Sequence, residues 1–78
     1  MNYSKARIAI ALEPFTTKEE SFRIAEECQH SSSPEGLRYN LYDYLADLMP
    51  EEVATKVANF TAEAVEDERL LRVIMVIP

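Results

Sequence analysis

Ala6-Arg7-Ile8-Ala9-Ile10-Ala11-Leu12 is the stretch on which the fold turns, because it fits two structural periods at once. Ile8, Ile10 and Leu12 alternate with Arg7, Ala9 and Ala11, which is the two-residue repeat of a strand. The alanines suit a helix equally well, and Ser4 stands where an N-cap would. The far end of the chain breaks the tie. Leu70-Leu71-Arg72-Val73-Ile74-Met75-Val76-Ile77 is apolar and β-branched, reads as a buried strand, and needs a partner for its backbone groups. Only the first stretch offers one, so both are read as strands.

Three helical patterns lie between them. Glu13-Pro14-Phe15 ends the first strand, and Thr17-Lys18-Glu19-Glu20 forms a capping box that starts a helix with Phe22, Ile24, Ala25 and Cys28 on one side. Ser31-Ser32-Ser33 reads as a loop. Ser33-Pro34-Glu35 then supplies a hydroxyl cap, a proline at the first helical position and an acid at the positive dipole end. Leu37, Leu41, Tyr44, Leu45 and Leu48 make the clearest amphipathic stripe. Met49-Pro50-Glu51-Glu52 breaks and restarts the helix, with Pro50 in its first turn. Val53, Val57, Phe60, Thr61 and Ala64 form the third stripe, which runs into Glu66-Asp67-Glu68. Acids there oppose the helix dipole, and Arg69 and Arg72 are placed to offset them.

The expected fold is therefore a single α+β domain over residues 1–78, ordered β-α-α-α-β, its terminal strands paired in a small sheet covered by three helices. A two-stranded sheet alone is marginal, so its open edge invites extension of the sheet across a homodimer. The 78-residue chain points the same way. A core this small supplies only about 3–5 kcal/mol, and the lone Cys28 rules out an internal disulfide. The Ala9/Ala11 face would let a helix or a second subunit approach closely.

Composition narrows the function classes. With a formal net charge of −6, the chain is a poor candidate for direct nucleic-acid or anionic-membrane binding, both of which need a basic face. No signal peptide is visible, the C-terminal apolar run is too short to cross a bilayer, and a cytoplasmic location is expected. Asn59-Phe60-Thr61 matches a glycosylation pattern, read as coincidence for the same reason. The single glycine, Gly36, excludes phosphate-binding loops. The helices on either side of Pro50 lack the Arg/Lys face of a DNA-recognition helix.

No catalytic constellation emerges, and no cofactor or metal is expected. Asp43 and Asp47, like Glu63 and Glu66, are about a turn apart and could ligate a hard cation, but a solvated helix face is the simpler reading. Cys28 and His30 point apart on a helix, and Cys28 falls among apolar residues. What remains is aromatic. Arg38, Tyr39 and Tyr42, with Asp43 beside them, bring together residue types enriched at binding hot spots. The plainer alternative is that the tyrosines lap the edge of the core. The expected function is a small non-enzymatic protein that regulates, inhibits or accompanies a protein partner through Arg38, Tyr39, Tyr42 and Asp43, or through a strand edge. Acidic mimicry of nucleic acid and carboxylate-dependent metal binding are the alternatives.

Overall fold

A computed structural model describes residues 3–67. It holds four helices in the order α1 (Lys5–Leu12), α2 (Lys18–Cys28), α3 (Pro34–Leu45) and α4 (Glu51–Glu66). Among the described residues there is no strand, so the described region is all-α and the α+β expectation is overturned. The stretch read as the first strand is α1. Its N-cap is Ser4, whose hydroxyl accepts from the Arg7 amide at 3.3 Å. Ile8, Ala11 and Leu12 turn into the core at helical spacing, joined by Ala9.

The physical reason for the error lies in the composition of that stretch. Apolar residues occupy both of its faces, so the two-residue and 3.6-residue periods fit alike. A helix then has the advantage of satisfying its backbone within the segment. The presumed partner strand, residues 70–77, lies outside the described residues, as do Arg69 and Arg72. With the first stretch helical, the pairing of the two terminal strands and the β-α-α-α-β order fall together.

The helix starts formed as expected. Thr17 accepts from the Glu20 amide at 3.1 Å while the Glu20 carboxylate accepts from the Thr17 amide at 2.9 Å, a complete capping box. Ser33 caps α3 by accepting from the Gly36 amide at 3.0 Å. A Cβ on Gly36 would sit 3.1 Å from that same hydroxyl, so the glycine leaves room for the cap. Pro50 is the N-cap residue of α4, one step earlier than expected, and provides no side-chain hydrogen bond.

Each helix packs against two neighbours: α1 against α2 and α4, and α3 against α4 and α2. The four therefore close a ring around one core. Ile8, Leu12, Ile24, Leu37, Leu41 and Leu45 are fully buried there, each contributing roughly 1.5–3 kcal/mol by leaving water. Ala25, Ala54, Ala58 and Ala64 are equally buried, and their small side chains let the helices approach closely. The ring rotates some helices away from the angles their stripes imply. Phe22 and Val53 are exposed, whereas Ser21 and Ala54 take inward positions; Leu48 is exposed because it lies beyond the end of α3. Two contacts span the chain. The Tyr3 amide donates to the Gln29 carbonyl at 2.7 Å, tying the entry of α1 to the exit of α2. Arg7 Nη1 donates to the Val65 carbonyl at 3.1 Å, so α1 supplies the cation that the end of α4 requires.

Candidate functional site

The leucines of α3 determine what its other side presents. Leu37, Leu41 and Leu45 recur every four residues and face the core. Glu35, Arg38, Tyr39 and Tyr42 are spaced i, i+3, i+4 and i+7, and share a second face roughly 110° round the axis. On α4, Thr55, Ala58 and Asn59 are likewise i, i+3 and i+4. The two stripes line a groove of about 300 Å³ along the α3–α4 junction. Ala58 is fully buried and ends at a methyl group, so it forms a floor and leaves space above it.

The groove carries a graded set of side chains. Tyr39 is the most exposed large apolar residue described, at 67%. Tyr42 is half-buried and packs against the core cluster. Its phenol is raised above the ordinary tyrosine value, first by the hydrogen bond its hydroxyl donates to Glu51, then by desolvation and by the charges of Glu51 and Asp43. Thr55 donates its own hydroxyl to the Glu51 carbonyl at 2.9 Å.

The structure thus brings Arg38, Tyr39 and Tyr42 to one groove. Asp43 is exposed and does not line it; its carboxylate acts on Tyr42 through charge alone. Tyr44 faces the other way, and its hydroxyl reaches Glu27 of α2 at 3.5 Å. Sequence reasoning missed the α4 wall and the part played by Glu35 and Glu51. The short connection over residues 46–50 was the available signal, since it makes the two helices antiparallel neighbours.

The other candidates are placed as follows. Cys28 is buried at the end of α2, and desolvation pushes its thiol up to about 12, with the Glu27 charge a smaller cause. His30, two residues on, is exposed. Helix α3 ends at Leu45, which leaves Asp47 in the following turn, no longer one helical turn from Asp43. Among the described residues, no three His, Cys, Asp or Glu side chains gather as metal ligands. No described helix is long and apolar enough to cross a membrane.

No family model matches the chain, and neither a curated protein nor a solved structure matches it.

Proposed function

We propose that this is a small non-enzymatic intracellular protein that acts by binding another protein, as a regulator, inhibitor or accessory subunit, through the groove between α3 and α4. One observation carries the reading: Arg38, Tyr39 and Tyr42 line a single concavity with Ala58 in its floor. Tyrosine and arginine give large contact area for little lost side-chain freedom, and a concave site lets a partner desolvate them fully. Tyr39 is the exposed anchor that a partner would cover. Tyr42, half-buried and packed against the core, is the pre-ordered wall beside it. Both stand on helices, so little ordering is needed on docking.

The test is comparative capture from native cell extract, followed by affinity measurement with the purified partner. Wild-type protein should retain a partner in stoichiometric amount. The Arg38→Ala/Tyr39→Ala/Tyr42→Ala variant should lose it, with Kd weakened at least ~30-fold, as expected for truncated hot spots. Phe22→Ala, at an exposed position on α2, should bind as wild type does. A folded triple variant with unchanged affinity would dispose of the groove as the docking surface.

A further inference from the structure

The chain's charge is unevenly divided between the two halves of the ring. Residues 34–66, which form α3, α4 and their connection, carry seven Asp/Glu against Arg38 and Lys56, a net of −5. Residues 3–33, with α1 and α2, carry five Glu against Lys5, Arg7, Lys18 and Arg23, a net of −1. Nearly all of the −6 therefore sits on the half that holds the groove. Within the groove, Glu35 lies on one wall, and Glu51, in the first turn of α4, is near enough to the groove-lining Tyr42 to act on its phenol. The rings of Tyr39 and Tyr42 belong to the same concavity. Aromatic faces flanked by carboxylates suit a cationic side chain, which gains from the ring quadrupole and from the nearby charges together.

We infer that the groove receives a basic segment of its protein partner, with a lysine or arginine side chain seated against Tyr39 and Tyr42 and flanked by Glu35 and Glu51. This rests on the docking reading above. The arrangement also assigns a subordinate part to Arg38. Arg38 lines the groove, where its aliphatic stem offers apolar contact while its charge opposes that of the partner. Removing the charge but keeping the stem should therefore help binding, although removing the whole side chain harms it.

The probe is an amphipathic peptide of arginine and leucine about 15 residues long, with a counterpart in which glutamate replaces every arginine. Each is titrated into the isotope-labelled full chain and followed by amide chemical shifts. The arginine peptide should shift amides over residues 35–42 and 55–59, and should bind at least ~5-fold more weakly when salt rises from about 50 to about 300 mM. The glutamate peptide should shift nothing at these positions. Glu35→Gln/Glu51→Gln should weaken the arginine peptide about 5- to 20-fold. Glu19→Gln/Glu26→Gln makes the same change in net charge on α2 and should weaken it less than about 2-fold. Arg38→Gln should tighten binding about 2- to 3-fold. Equal loss in the two double variants, shifts confined to α1 and α2, or equal binding of both peptides would overturn the inference. If the arginine peptide fails while the Arg38/Tyr39/Tyr42 variant still loses the native partner, the basic-segment inference falls and the docking reading survives.

Discussion

Replacing Thr61 by valine should make this protein more stable, although it removes a polar group from the middle of a helix. Thr61 is fully buried in α4, and its hydroxyl has no hydrogen-bond partner. The chain's other helical hydroxyls show what is missing. Thr55 of α4 donates to the Glu51 carbonyl at 2.9 Å, four residues back, and Ser21 of α2 to the Lys18 carbonyl at 2.8 Å, three residues back. Thr61 makes no such bond. An unsatisfied buried hydroxyl costs about 1–3 kcal/mol in lost hydration. Valine keeps the β-branched shape and has nearly the same helix propensity, so packing and backbone terms barely change. A net gain of about 1–2 kcal/mol follows.

That gain is large for a small domain whose net stability is about 3–5 kcal/mol, and it corresponds to a rise in Tm of roughly 5–12 °C. Urea unfolding followed by far-UV circular dichroism measures it directly, with an unchanged m-value showing that only stability has moved. Thr61→Ser is the companion variant. It keeps the hydroxyl and loses a methyl, and should cost about 1 kcal/mol through lost burial and a small cavity. A valine variant no more stable than wild type would refute the reasoning, because the hydroxyl would then be gaining as much as its burial costs.

Arg7→Ala should lower stability by about 1–2 kcal/mol in the same assay, by removing the charged donor at the end of α4 and leaving the Val65 carbonyl without it; Arg7→Lys should recover part of the loss. Thr17→Ala should cost about 1 kcal/mol by breaking the α2 cap. The Glu20 carboxyl is held below its ordinary range, first by its hydrogen bond to the Thr17 backbone. Its contribution is thus present above the ordinary carboxylate pKa and lost as pH falls through the lowered folded value, a loss that a Glu20→Gln titration should lack. Cys28 has the opposite sign. Its thiol rises from the ordinary 9.0 to about 12, so folding is fully favoured below pH 9 and loses this contribution as pH climbs toward 12. Stability measured from pH 8 to pH 11 should fall more steeply in wild type than in Cys28→Ala, and thiol reagents should label the native protein only as fast as it opens.

What the sequence by itself determined is the part of the structure made from short-range contacts. The Thr17–Glu20 box and the Ser33–Gly36 cap each close over three residues, so the residue types that form them stand together in the chain. The leucines of α3 repeat within a single helix, and their regularity also places Arg38 and Tyr39 outside the core and Tyr42 at its edge. One wall of the candidate site was legible for that reason.

Only the tertiary structure decided the rest. The stretch from Ala6 to Leu12 is apolar on both faces, so its conformation depended on what it packs against, and the ring of helices gave it α2 and α4. The inward angle of each helix is likewise set by its neighbours, which is why Phe22 and Val53 face outward despite fitting their stripes, while Leu48 is exposed because α3 has already ended at Leu45. Thr55, Ala58 and Asn59 carry no hot-spot signature and become a wall only because α4 lies beside α3. Arg7 and Val65 are 58 positions apart in the chain. Local preference acts within a few residues, whereas the pairing of distant faces is chosen by how much apolar surface the whole chain can bury at once.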